Sequence, residues 1–308
     1  MDYHVPVLLT ECIEALEIKP AGVYLDFTFG GGGHSKEILK HLDEGQLFGF
    51  DQDPDAAKNA ESIQNRSFTF IDSNFRFAKR HLRMQGITKV DGILADLGVS
   101  SHQFDAAERG FTYRSDSPLD MRMDQASEKD AAVVLNSYRQ ADLQDIFSLY
   151  GEIRNARTLA SKIVERRQVQ EFQTSFDLLD VLKGMSPGSK EMKYFAQVFQ
   201  ALRIEVNDEM NALKEVLEQS GELLKENGRL VVMSYHSLED RLVKNYIQKG
   251  RFKGEAEKDL YGNDQKPLEA VNRKPIIPND EEIERNPRAR SAKLRIAKRT
   301  DWQWPKTN

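Results

Sequence analysis

The 308-residue chain contains one cysteine, Cys12. A single thiol excludes an internal disulfide and a thiolate zinc cluster, and a chain with neither suits a reducing compartment. Apolar runs of membrane length are missing too, and residues 1–6 carry neither the basic region nor the apolar block of a secretory signal. These absences predict a cytoplasmic protein with no membrane association. Excess positive charge is also lacking: 44 Lys and Arg face 49 Asp and Glu, a net charge of −5. That excludes a protein that binds nucleic acid over its whole surface. Residues 285–299 depart from this balance, since seven of the fifteen are Lys or Arg and none is acidic. With 39% hydrophobic residues, the chain can fill the core of one large domain or two ordinary ones.

What is present is organised around residues 23–35, Val-Tyr-Leu-Asp-Phe-Thr-Phe-Gly-Gly-Gly-Gly-His-Ser. The first five predict a short buried strand, the glycines a tight turn, and Ser35 onward a helix with Ile38, Leu39 and Leu42 on one face. Such a loop lets backbone approach a ligand and offers free N–H groups at a helix start. It lacks the lysine of a phosphate-binding P-loop, because His34 follows Gly33. It also lacks the third glycine of a dinucleotide fingerprint, where Ser35 stands. Asp26 before the loop suits an ammonium group, and Asp51, nineteen residues after Gly32 at the end of the next apolar run, suits ribose hydroxyls. Ammonium, ribose and carboxylate together describe S-adenosylmethionine.

Further along, the pattern predicts an amphipathic helix over 6–16 with Cys12 in the core, with His4 and Pro6 either edging the ligand pocket or capping. It continues with a helix started by Asp53 and Pro54, a strand over 67–72, a helix turning Phe75, Ala78 and Leu82 inward, and a strand over 90–96. Strands alternating with helices make a parallel, doubly wound sheet with its ligand at the carboxyl ends, where Asp26, Asp51 and Asp96 fall. Residues 105–124 read as an ordered loop rich in Arg and Asp, followed by helical segments without a strand. Helices over 199–206 and 210–224 are expected to return to the sheet domain. A fifth strand starts at Arg229, Ser237 and Asp240 form a capping box, residues 251–272 are loop, and residues 293–297 form an antiparallel final strand. The expected domains are therefore 1–104, a helical substrate-recognition insertion over 105–196, and 197–308.

Several co-linear motifs run beside the glycine loop: Asp-Leu-Gly-Val-Ser-Ser (96–101), Glu-Arg-Gly-Phe (108–111) and Pro-Leu-Asp-Met-Arg-Met (118–123). Phe-Gln-Ala-Leu-Arg-Ile-Glu-Val-Asn (199–207), His-Ser-Leu-Glu-Asp-Arg (236–241) and Asn-Pro-Arg-Ala-Arg-Ser (286–291) follow. From about residue 4 to 299 the chain resembles the RsmH (MraW) family. The resemblance implies a Rossmann-like class I S-adenosylmethionine methyltransferase sheet with an inserted all-helical domain. It also implies N4-methylation of a cytidine in the decoding region of bacterial 16S ribosomal RNA, with the small ribosomal subunit as partner. By the same resemblance Gly32, Gly33, His34, Asp51, Phe75, Asp96 and Gln103 line the cofactor, with Phe75 near the adenine. Two places depart from the family pattern: Phe27 stands where a small residue is usual, and Lys193-Tyr194-Phe195 replaces a typical His-Pro-Ala.

The chemistry narrows the target. Methylation at a pyrimidine ring carbon needs a cysteine that adds to the ring, and Cys12 precedes the first strand with no sign of activation. An exocyclic amine needs only acceptors that orient its N–H groups, for which Asp96 and neighbouring carbonyls are candidates. The Asp/Asn-Pro-Pro-aromatic signature of many amino-methyltransferases is absent after Asp96. His236 beyond the fifth strand is a candidate to orient the base or its phosphate, or to make a structural hydrogen bond to the following helix. Arg109, Arg114, Arg241, Arg288, Arg290 and Lys293 are candidate RNA contacts, and no metal site is read from the sequence. Competing readings are a nicotinamide dehydrogenase and a ribosome-assembly binding factor that keeps the cofactor fold.

Overall fold

The computed structural model describes residues 6–186 and 190–302; His4 lies outside them. Leu8 in the left-handed region starts α1 (Leu9–Leu16), whose inner face carries Cys12 and Leu16. There follow β1 (Val23–Asp26), α2 (Gly33–Lys40), β2 (Gln46–Asp51), α3 (Pro54–Ala60), β3 (Phe68–Asp72), a 3-10 turn Phe75–Phe77, α4 (Ala78–Met84) and β4 (Val90–Asp96). Asp53 caps α3 by accepting the Asp55 N–H, with Pro54 at the first helical position, as the sequence predicts. Ala78 and Leu82 are fully buried, and Phe75 packs at the edge of the same core.

From Val99 to Glu209 the chain forms a compact unit of its own. It holds α5 (Ser101–Asp105), α6 (Ala131–Ser137), α7 (Gln140–Leu149), α8 (Ala156–Val169), α9 (Ser175–Leu182) and α10 (Glu191–Asn207). No strand is formed among its described residues; an isolated bridge pairs Pro118 with Thr174. The break expected at 196/197 falls instead at 209/210, because α10 turns Tyr194, Phe195, Val198, Phe199 and Leu202 into this unit's core. Tyr194 and Phe195, where the expected pattern has Pro and Ala, are thus core side chains. The earlier break lies at 98/99 rather than 104/105.

The second unit joins residues up to Gly98 with those from Met210 onward. After α11 (Glu209–Leu223) come β5 (Leu224–Ser234), α12 (Ser237–Lys249), β6 (Leu268–Ala270), α13 (Asp280–Arg285) and β7 (Lys293–Arg299). The seven strands lie in the order β3-β2-β1-β4-β5-β7-β6. β3 to β5 are parallel and β7 runs antiparallel between β5 and β6. This is the Rossmann-like doubly wound arrangement with an antiparallel edge. β6 arises within residues expected to be loop; only Leu268 of its three residues is buried, too little for a periodic signal. The central strands β1 and β4 read as near-continuous buried runs, β4 being buried from Val90 to Ala95, because helices cover both faces. No helix among the described residues is long and apolar enough to cross a membrane.

Candidate functional site

Parallel pairing sets the carboxyl ends of β2, β1 and β4 side by side, so Asp51, Asp26 and Asp96 gather at one edge of the sheet. Asp26 is wholly buried: Oδ2 accepts the Ser35 hydroxyl at 2.6 Å and Oδ1 the Thr28 N–H at 3.1 Å. Ser35, which spoils the dinucleotide fingerprint, is therefore the residue that ties α2 to the end of β1. Asp51 accepts the Gly30 N–H on Oδ2 at 2.8 Å and the Asp53 N–H on Oδ1 at 3.0 Å. It pins the glycine loop from the neighbouring strand. The Asp96 N–H donates to Thr28 Oγ1 at 2.6 Å, and its Oδ1 accepts the Tyr235 hydroxyl at 2.9 Å.

No lysine or arginine pairs with any of these three carboxylates among the described residues. Burial raises Asp26 to about 6, and the Ser35 and Thr28 hydrogen bonds only partly offset it. Asp51 is likewise raised to about 6 by burial, with the negative charge of Asp53 and Asp26 adding to it. Asp96 rises to about 7, from burial and then the charges of Asp26 and Glu239. Among the described residues the edge is an anionic cradle without a lysine or arginine as counter-charge.

His34, on the first turn of α2, has Nδ1 3.9 Å from Asp96 Oδ2. Burial lowers it to about 4, so it is neutral at physiological pH, and its Nε2 is buried without a hydrogen-bond partner. Gly32 caps α2 at φ +74°, and a side chain there would strike the Phe29 ring at 2.8 Å. At Gly33 the space is filled by Pro6, whose Cγ would lie 2.3 Å from an added Cβ. The requirement for glycine at these two positions is thus met by the protein's own packing. Phe75 packs on Phe27 at 6.0 Å between ring centroids, and Phe27, the larger residue in the loop, also packs on Phe50 at 5.7 Å.

The remaining expected residues divide. Gln103 belongs to the helical unit, where it forms a capping box with Ser100 at the start of α5. His236, not Ser237, caps α12: the Glu239 N–H donates to His236 Nδ1, and Glu239 returns Oε2 to the His236 N–H at 3.2 Å. Asp240 leaves the cap to grip Arg295, 2.7 Å from its Nε. Arg109 is buried, donating to the Arg122 and Met123 carbonyls, which removes it from the accessible cations. Lys293 faces Asp240 at 3.5 Å, and Arg299 is buried on the carbonyls of Gly221, Pro267, Thr300 and Trp302. The acid-free run is therefore partly neutralised from elsewhere in the chain. Arg114, Arg241, Arg288 and Arg290 are exposed. The residue that sequence reasoning missed is Tyr235, whose one signal was an aromatic residue with a polar tip just beyond the strand neighbouring β4.

The model of a family described as "MraW methylase family" matches residues 1–300. A protein of Cytophaga hutchinsonii is 58% identical over 297 residues, 96% of this chain and 99% of that one. One of Flavobacterium johnsoniae is 56% identical, covering 97% of this chain and 98% of its own, and one of Parabacteroides distasonis is 54% identical, covering 96% and 97%. All three bear the name Ribosomal RNA small subunit methyltransferase H.

Proposed function

This chain belongs to the MraW methylase family, and from that premise we propose an S-adenosylmethionine-dependent methyltransferase of small-subunit ribosomal RNA that acts in the cytoplasm on the N4 amine of a decoding-region cytidine. The observation that carries the reading is the cradle of three strand-end carboxylates with no cation. It fits a ligand that brings positive charge and hydroxyl donors, and it repels the pyrophosphate of a nicotinamide dinucleotide. When bound, S-adenosylmethionine supplies an electrophilic methyl group on a sulfonium centre. Asp51 retains lone pairs beyond its two backbone bonds and would take the ribose hydroxyls; Asp26 adds negative charge and holds the loop. His34, neutral beside Asp96, adds no repulsive charge.

Asp96 presents Oδ2 to the cytidine amine and orients one N–H, which aims the nitrogen lone pair for in-line attack. As the nitrogen becomes cationic the carboxylate stabilises it and takes the released proton, a task suited to a group titrating near 7. No side chain needs to bond covalently to the base. Exposed Arg114, Arg241, Arg288 and Arg290 would hold phosphates, while the unstacked cytidine and the folded shape of the RNA supply selectivity. His236 supports the site as a cap of α12.

The test is transfer of labelled methyl from S-adenosylmethionine to naked small-subunit rRNA and to assembled subunits, followed by nucleoside analysis. N4-methylcytidine, lost in Asp51→Ala and Asp96→Ala, is the expected result. Label on a ring carbon or a ribose would overturn the amine mechanism, and labelling of only one RNA form identifies the substrate state.

A further inference from the structure

Tyr235 follows the last residue of β5 and is fixed at both ends. Its N–H donates to Glu239 Oε2 at 2.8 Å, and Glu239 is buried in the cap of α12. Its ring edge would lie 3.5 Å from a Cβ added to Gly98, and its hydroxyl reaches Asp96 Oδ1 at 2.9 Å. The carboxylate then has one oxygen engaged by a phenol, while the other, Oδ2, accepts no hydrogen bond among the described residues and lies 3.9 Å from His34 Nδ1. We propose that Tyr235 is a positioning residue for methyl transfer, holding Asp96 through Oδ1 so that Oδ2 is the oxygen presented to the acceptor amine. This rests on the reading of Asp96 given above.

The surrounding charges give the hydroxyl a second effect. Asp26 on β1 and Glu239 on α12 both favour protonated Asp96, and the Tyr235 hydrogen bond opposes them. Around them, the Cys12 thiol on α1 is pushed far up and His34 on α2 far down, so both are neutral near pH 7. The Tyr235 phenol is itself raised well above its usual range, by burial and then by Asp96, so it stays a donor throughout. Removing the hydroxyl therefore frees the carboxylate to rotate and makes it easier to protonate.

The test is Tyr235→Phe, which keeps the ring, assayed for kcat against pH with Asp96→Asn and the double variant alongside. Expected are a kcat lowered about tenfold, the loss of one hydrogen bond to a charged group, and an acid limb displaced to higher pH. S-adenosylhomocysteine affinity should stay within about twofold, and the substitution should have no further effect in the Asp96→Asn background. Tyr235→Phe with the parental kcat and limb, beside an inactive Asp96→Asn, overturns the proposal alone. Asp96→Asn with the parental kcat overturns the Asp96 reading and this proposal with it. Should Tyr235→Phe fail to fold, 3-fluorotyrosine at 235 reads the same contact in the other direction. A more acidic phenol is a stronger donor, so the limb moves to lower pH, and an unmoved limb overturns the proposal.

Discussion

In the helical unit, partly buried Asp120 has Arg122 on both carboxylate oxygens, and Arg203 grips Glu209 with two parallel bonds of 2.8 and 2.9 Å. In the sheet unit, Asp26, Asp51 and Asp96 have backbone and hydroxyl donors but no lysine or arginine among the described residues. The consequence is opposite in sign: burial pushes Asp120 up but the Arg122 hydrogen bond and charge bring it below the usual carboxylate range, whereas burial prevails at the strand ends. Charge balanced within a unit is structural. Charge left unbalanced at strand ends marks a candidate ligand site.

Asp96→Asn gives the largest expected effect: it leaves a side chain of the same size but removes the anion, and methyl transfer should fall about 10³-fold with the fold intact by circular dichroism. A loss below tenfold would mean that Asp96 does not face the amine. Arg122→Ala inverts the test. It unpairs Asp120 and abandons the Gln125 and Ser127 carbonyls, costing about 2 kcal/mol of stability by denaturant titration while cofactor affinity holds; unchanged stability would dissolve the contrast between the units. Next comes pH. A cationic ligand favours ionised carboxylates, so affinity is complete above the raised values near 6 and 7 and is lost as pH falls through them. Calorimetry should show proton release on binding and an affinity about fourfold weaker at pH 5.5 than at 7.5 for one engaged carboxylate of pKa near 6; a pH-independent affinity would show that the cradle does not hold the cation. Smallest is Arg290→Ala on the exposed 3-10 turn Pro287–Ser291. RNA affinity should weaken about threefold and the salt slope drop by about 1; an unchanged slope would remove Arg290 from the phosphate contacts.

Much of the sheet unit was legible because its signals are local. Apolar runs ending in Asp26, Asp51 and Asp96 need only a period and a turn to be read, and β4 occupies the predicted residues 90–96. Long-range choices were not legible. Nothing near Phe199 says that α10 packs with α6 and α7 rather than under the sheet, since its apolar face serves either partner equally well. Ser237 has the commoner cap side chain, but the deciding factor is Glu239, buried where its Oε2 accepts the Tyr235 and His236 N–H groups and leaves His236 as the cap. The basic run looked continuous because its partners, Asp240 for Arg295 and Glu269 for Lys298, lie distant in sequence. Tyr235 escaped for the same reason: its role exists only once β4 and β5 are neighbours.

The position of β7 bears on how the chain is made. The helical unit is one continuous stretch and is complete once Glu209 has been synthesised. The sheet cannot close until residues 293–299 arrive, for β7 alone joins β6 to β5. During synthesis, at roughly 5–20 residues per second, the five parallel strands thus precede β7 by several seconds, with β5 as their unpaired edge. That interval is where a chaperone would be most needed, and a truncation before β7 would leave that edge open to pairing with another chain.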